Sequence, residues 1–146
     1  MEFSQEFERD FMRRTLELVR GYTGAYDATN LLNCLLGLLI VPKESSLDRI
    51  PDDPVDALMK WGISPESIKG FGQCQCRREN PKTLRQLVKS LRNSVAHFRF
   101  EPRHRDRRCI GFEFRDKSGF HAVIGNDEMT VFVERLAQHL EKQWPG

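Results

Sequence analysis

Three polar residues near the end of a strongly periodic segment have the chemistry needed to cleave RNA: Arg92, Asn93 and His97. An imidazole can take the proton of a 2′-hydroxyl or return one to the leaving 5′-oxygen at neutral pH. A guanidinium stays charged and stabilises a phosphorane-like transition state, and Asn93 could orient the histidine or bind a phosphate oxygen. Because the neighbouring 2′-hydroxyl attacks intramolecularly, the reaction needs no metal. The alternative is a surface arginine and a histidine favoured at a helix C-terminus by the helix dipole.

The segment that carries these residues is predicted to be the best helix of the chain. It begins at Pro81, which is favoured at the first helical position, and places a core stripe at helical spacing. That stripe consists of Leu84, Leu87, Val88, Leu91, Val95 and Phe98. At about 100° per residue, Arg92, Asn93 and His97 all point away from it. We therefore expect the three polar side chains outside the core of their own chain.

The spacing of Arg92 and His97 bears on oligomeric state. Five residues separate them, which is about 7.5 Å along a helix axis and about 140° around it. One rigid helix would bring both side chains to one phosphate only with difficulty. Two helices related by a two-fold axis could each contribute an arginine and a histidine to a shared cleft. If the residues are catalytic, the spacing predicts a homodimer.

The helix and the residues after it form a basic block. Residues 77–108 hold 11 Lys/Arg and three Asp/Glu, whereas the net charge of the whole chain is only +2. Arginine suits phosphate oxygens and can stack on bases, so the block predicts RNA binding. The candidate RNA-binding residues are Arg85, Lys89, Arg99, Arg103, Arg105, Arg107 and Arg108. A solvated face or a patch for an acidic partner protein is the alternative.

The periodicity of the chain predicts a mainly α protein, one domain over residues 1–146. Helices are expected over 3–19, 26–41, 55–61, 81–98 and 127–143, giving a bundle of four to five helices. Phe3, Phe7, Phe11, Leu18 and Val19 are expected to form the apolar stripe of the first. Two short strands over about 109–124 are expected as one inserted β-hairpin, with loops over 62–80 and after Pro102. In the second helix a seam of Tyr26, Asn30, Asn33 and Gly37 indicates a close helix–helix contact or, alternatively, a site-facing surface.

Composition excludes several other classes of protein. The longest apolar run, residues 31–41, is much shorter than the roughly 20 residues of a membrane span, and the acidic N-terminus is unlike a signal peptide. Four cysteines without an export signal are most simply reduced thiols in the cytoplasm. A zinc site could be assembled from Cys74, Cys76, Cys109, His104 and His121. One residue between the first two cysteines is too few for a usual zinc knuckle, so loop and packing thiols are expected and no metal or cofactor is predicted.

The motif and its context resemble the HEPN family, whose signature is an arginine, four to six residues and then a histidine. Arg92, Asn93 and His97 match that signature, and the stretches LRNSVAHFRFEP and NLLNCLLGLLIVPKE look like a small stand-alone branch of the family. The resemblance implies a dimeric helical bundle and a metal-independent ribonuclease of a toxin–antitoxin, abortive-infection or other defence system. It implies His97 as acid/base, Arg92 as phosphate stabiliser and Asn93 as support. RNA, with tRNA among the candidates, and an antitoxin are the implied partners.

Two other functions remain open at this stage. Some HEPN proteins are non-catalytic modules, and the hairpin departs from the plainest all-helical pattern of the family. A silent dimer could use the basic block to bind RNA or an acidic protein, with Arg103, Arg105 and Arg107 needed and His97 dispensable. A purely scaffolding dimer is the third alternative.

Overall fold

The structure, a computed structural model, describes residues 7–41, 50–51, 55–72 and 83–142, with side chains omitted for 55–57. In these ranges the chain forms α-helices packed on one antiparallel sheet. The helices are α1 (Phe7–Gly21), α2 (Asp27–Ile40), α3 (Leu84–Ala96) and α4 (Asn126–Lys142), with 3₁₀ turns at Val55–Trp61 and Pro65–Ser67. The strands are β1 (Ile68–Phe71), β2 (Phe100–Arg105), β3 (Arg108–Arg115) and β4 (Phe120–Gly125). The protein is therefore helical with a sheet.

Helices α1 and α2 pack closely along the seam of small and polar residues. A Cβ added to Gly37 would lie 2.7 Å from the ring of Phe11, so a larger residue there would have to displace the ring. About two turns before Gly37 in α2, the side-chain amide of Asn30 donates a hydrogen bond to the backbone carbonyl of Leu18 in α1 at 3.3 Å. Gly37 and Asn30 thus serve the predicted helix contact.

The predicted apolar stripe of α1 is right for Phe11 and Val19, which pack against the core, and wrong for its exposed residues. Phe7 and Leu18 are 45% and 56% exposed, whereas Met12 and Leu16 are buried. Met12 and Leu16 lie four residues apart and form a ridge along one side of the helix, and α1 packs mainly against α4. The prediction followed the four-residue spacing of the phenylalanines and therefore missed this buried ridge. Phe3 lies outside the described residues.

The sheet is larger than the predicted hairpin. Its strand order is β1-β4-β3-β2 with antiparallel neighbours, so the expected β3–β4 pair forms the middle of a four-stranded sheet. The loops predicted over 62–80 and after Pro102 are wrong where they cover β1 and β2. Five of the six residues of β2 are exposed, so its sequence lacks the alternation that reveals a strand. Strand β1 is only four residues long and contains Gly70.

The stripes of α3 and α4 form the centre of the core. Leu84, Leu87, Val88 and Leu91 of α3 are at most 1% exposed, as are Met129, Phe132, Val133 and Leu136 of α4. The start of α3 differs from the prediction, because Thr83 is extended and its hydroxyl accepts the N–H of Gln86. This N-cap makes Leu84 the first helical residue, and Pro81 lies outside the described residues. No helix in the described part of the chain is long and apolar enough to cross a membrane.

Candidate active site

The last turn of α3 presents the three motif residues. Asn93 and His97 are exposed and Arg92 is half-buried, so the motif lies outside the apolar core. His97 is the C-cap, with φ −100° and ψ 11°, and its backbone N–H donates to the carbonyl of Asn93 at 3.1 Å. The helix ends at the histidine, and hydrogen bonds of that last turn fix its backbone.

The chain leaves α3 through a Schellman motif, a C-terminal turn closed by two backbone hydrogen bonds. The N–H of Phe98 donates to the carbonyl of Val95 at 3.1 Å, and the N–H of Arg99 donates to that of Ser94 at 2.7 Å. Phe98 adopts the left-handed conformation this motif requires, with φ 54°. The next carbonyl, that of Arg99, accepts the N–H of Arg115 at 2.9 Å. These contacts join the end of the motif directly to the sheet.

The prediction that Phe98 belongs to the core stripe of α3 is wrong. Phe98 is 81% exposed, the most exposed large apolar side chain of those described. The helical period stops at Ala96, and the left-handed turn carries the next side chain away from the core. The ring instead lies against Phe100, with centroids 5.1 Å apart.

The candidate RNA-binding residues lie at several separate places in the structure. Arg105, Arg107 and Arg108 are exposed together at the tight turn between β2 and β3. The guanidinium Nε of Arg85, in contrast, donates to the backbone carbonyl of Ile50 at 3.0 Å. Lys89 is half-buried on α3. The structure thus gathers arginines at the turn and gives Arg85 a packing contact.

A second charged cluster, which the sequence analysis missed, lies on β2, β3 and β4. The carboxylate of Glu113 accepts from His121 Nε2 at 2.9 Å and pairs with Arg115 at 3.3 Å and Arg103 at 3.8 Å. The hydrogen bond from His121 has the largest effect and lowers the pKa of Glu113; burial opposes it by raising the pKa, and the charge of Arg115 lowers the pKa further. Its signal in the sequence is alternation: Glu113 and Arg115 share a face of β3, and Arg115 is paired with His121. These three residues lie on the predicted β3–β4 pair, whereas the contact with Arg103 depends on β2 being a strand.

An open groove of about 620 Å³ lies between the residues that follow the motif and this cluster. It is lined by Phe98, Arg99, Phe100, Glu101, Glu113, Arg115 and Asp116. Arg99, one of the candidate RNA-binding residues, therefore lies beside the motif and apart from the arginines of the β2–β3 turn. The groove combines aromatic surface with charges of both signs.

The cysteines give no support for a metal centre in the described ranges. These contain no group of three or more His, Cys, Asp or Glu residues placed to hold an ion. Cys34 is buried in α2, and burial raises the pKa of its thiol, as expected of a packing cysteine. Cys74 and Cys76, named above for the alternative zinc site, lie outside the described residues.

Comparison with known proteins identifies the family. The model of a family described as HEPN pEK499 p136 matches residues 1–145. No curated protein and no solved structure gives a significant match. The match spans almost the entire chain, including the arginine, the histidine and the sheet that follows them. With its Arg92–His97 motif on the last turn of a packed helix, the chain belongs to the HEPN family.

Proposed function

We propose that this protein is a metal-independent endoribonuclease whose active site forms between two copies of the chain. The observation that carries the proposal is the position of Arg92, Asn93 and His97 on the last turn of α3, outside the core, in a chain of the HEPN family. HEPN domains are often ribonucleases, and these three residues match the family signature.

Each residue has a distinct chemical task in this mechanism. His97 removes the proton of the attacking 2′-hydroxyl or protonates the leaving 5′-oxygen, and one copy of His97 from each subunit allows both transfers. Arg92 binds the phosphate oxygens on which negative charge increases. Asn93 supports the phosphate or the imidazole. The products are a 2′,3′-cyclic phosphate and a 5′-hydroxyl.

The spacing of the motif supports a dimer. Arg92 and His97 lie about 7.5 Å apart along the axis of α3 and about 140° apart around it, and the helix continues through Ala96. A two-fold axis beside the last turn would oppose the arginine of one subunit to the histidine of the other. Isolated monomers should therefore be inactive.

The exposed arginines support RNA as the substrate. Arg105, Arg107 and Arg108 at the β2–β3 turn are exposed, and exposed positive charge attracts a phosphate backbone. In a toxin–antitoxin or other defence system the substrate would be cellular RNA such as tRNA, and an antitoxin protein would mask the cleft. The same turn also favours the second candidate function, a catalytically silent module that binds RNA or an acidic protein.

A cleavage assay with matched histidine variants tests the proposal. Wild type should cleave total RNA and defined tRNAs in EDTA, and His97→Ala should lose about two to four orders of magnitude of rate. His104→Ala is the matched control, because His104 is also an exposed histidine but lies on β2 outside the motif. Equal cleavage by wild type and His97→Ala would contradict the mechanism. RNA binding without cleavage would favour the silent module.

A further inference from the structure

Phe98 stands at a position where the backbone favours glycine. Its φ of 54° places it in the left-handed region, and the residue at this point of a Schellman motif is usually glycine because any Cβ is strained there. The side chain does not compensate by entering the core, since it is 81% exposed. An exposed aromatic ring held in a strained conformation weakens the fold, and such strain is a reason to look for a function.

The surroundings of the ring indicate what it could bind. Phe98 and Phe100 lie 5.1 Å apart at 53° between their planes, and both line the groove described above. An aromatic face is the surface on which an unpaired nucleobase stacks. The groove begins one residue after His97, so a base bound there would belong to a nucleotide close to the phosphate at the motif.

The charges in the groove distinguish a base from a phosphate. Arg99 and Arg115 are balanced there by Glu101, Glu113 and Asp116, so a phosphate group would meet three carboxylates. A nucleobase is uncharged and flat, and N–H groups on its edge can donate hydrogen bonds to a carboxylate. Glu101 is exposed at the groove, whereas Glu113 pairs with Arg115 and Asp116 accepts the N–H of Ser118 at 2.8 Å.

We infer that Phe98 and Phe100 form a subsite for an unpaired nucleobase of single-stranded RNA, next to the motif. The inference rests on the proposed function and deepens it, because it selects single-stranded over double-stranded RNA. A base engaged in a duplex is stacked on its neighbours and cannot lie flat on Phe98. In this subsite the strained Phe98 contacts substrate directly.

The test measures binding and stability together, with RNA that cannot be cleaved. The probes are a single-stranded 2′-O-methyl RNA of mixed sequence, the same strand in a full duplex, and the same strand with abasic nucleotides. Phe98→Ala and Phe98→Gly should bind the intact single strand roughly 5- to 150-fold more weakly, the range found for loss of one stacked base. Phe98→Trp, which keeps an aromatic ring, should bind the intact single strand with wild-type affinity. Affinity for the duplex and the abasic strand should not change.

Phe98→Gly provides a readout that a structural role for the ring would reverse. Glycine relieves the left-handed strain, so the midpoint of thermal unfolding should rise by about 2 °C while affinity falls. The control is Met59→Ala, which removes an apolar side chain 63% exposed that does not line the groove, and it should leave affinity unchanged.

Three results would overturn the inference. Unchanged affinity of Phe98→Ala for the intact strand, in a protein that binds RNA, removes the subsite and leaves the proposed ribonuclease standing. Conversion of a dimer to a monomer by Phe98→Ala would assign the ring to an interface between copies. No binding of any RNA by wild type would remove the subsite and count against the proposed function as well.

Discussion

Arg107 allows RNA binding and folding to be tested at one residue. It follows Asp106 in the two-residue turn between β2 and β3. The backbone φ is 51° at Asp106 and 66° at Arg107. Positive φ at both central residues is the mark of a type I′ hairpin turn, in which glycine is preferred at the second position. Arginine has no such preference, and Arg107 is exposed. Its positive charge and its backbone conformation can therefore be altered separately.

Two substitutions separate these effects. Arg107→Gln removes the charge and keeps the strain, whereas Arg107→Gly removes both. Relief of the left-handed conformation is worth about 1–2 kcal/mol, and the greater freedom of glycine in the unfolded chain costs about 0.5–1 kcal/mol. The glycine variant should therefore be more stable than the glutamine variant by about 0.5–1 kcal/mol, or about 2 °C in the midpoint of thermal unfolding.

The effect on RNA binding should be the same in both variants. The logarithm of the binding constant K falls as the logarithm of the salt concentration rises. If Arg107 contacts one phosphate of a single strand, its loss should make this negative slope shallower by about 0.7. Fluorescence anisotropy with non-cleavable RNA at several salt concentrations measures this slope. Lys117→Gln is the control, because Lys117 is an exposed cation in the β3–β4 connection, outside the basic block.

Either half of the prediction can fail separately. A wild-type slope in both variants would show that RNA does not pass over the β2–β3 turn, which would refute the assignment of Arg107 to RNA binding. A glycine variant no more stable than the glutamine variant would refute the claim that the left-handed conformation of Arg107 destabilises the fold. A slope lowered equally by Lys117→Gln would show that the RNA responds to overall charge only.

Two further predictions concern the shared cleft and the charged cluster. His97→Ala should be inactive, and adding it to an equal amount of wild type should lower cleavage to about half, because about half of the wild-type subunits then pair with a copy that lacks the second histidine of the cleft. Cleavage that is unchanged after verified subunit exchange would contradict the shared cleft. The lowered pKa of Glu113, caused first by the hydrogen bond from His121 and then by Arg115, means that the cluster contributes stability above the carboxyl's ordinary pKa and loses it as the pH falls through the lowered value. Glu113→Gln should therefore flatten the decline of the unfolding midpoint below about pH 5, and an unchanged decline in thermal melts between about pH 3 and pH 7 would contradict the assignment.

The sequence was most informative where burial and periodicity coincide. The stripe from Leu84 to Leu91 is buried throughout, and it correctly placed Asn93 and His97 on the outer side of α3. The same periodicity wrongly included Phe98 in the stripe, because the spacing of apolar residues does not show where a helix ends. Only the backbone hydrogen bonds of Phe98 and Arg99 reveal the left-handed turn.

The sheet shows a second limit of sequence reasoning. β3 and β4 alternate buried and less buried residues over part of their length, so their pairing could be predicted. β2 is an edge strand whose residues after Phe100 are all exposed, and exposed charge protects an edge from pairing with other chains. β2 was therefore predicted to be a basic loop, and its Arg103 was not connected with Glu113. Contacts that depend on strand register are not encoded in local spacing.

The most direct test of the central claim is to map the cleavage site in a defined RNA and to replace that one nucleotide by its 2′-deoxy form. In EDTA, the wild-type protein should leave 2′,3′-cyclic phosphate and 5′-hydroxyl ends on the unmodified RNA, His97→Ala should leave it intact, and the 2′-deoxy substitution should abolish cleavage at that position. Cleavage that persists at the 2′-deoxy position, or products with 5′-phosphate ends, would contradict attack by the 2′-hydroxyl and with it the roles given to Arg92 and His97.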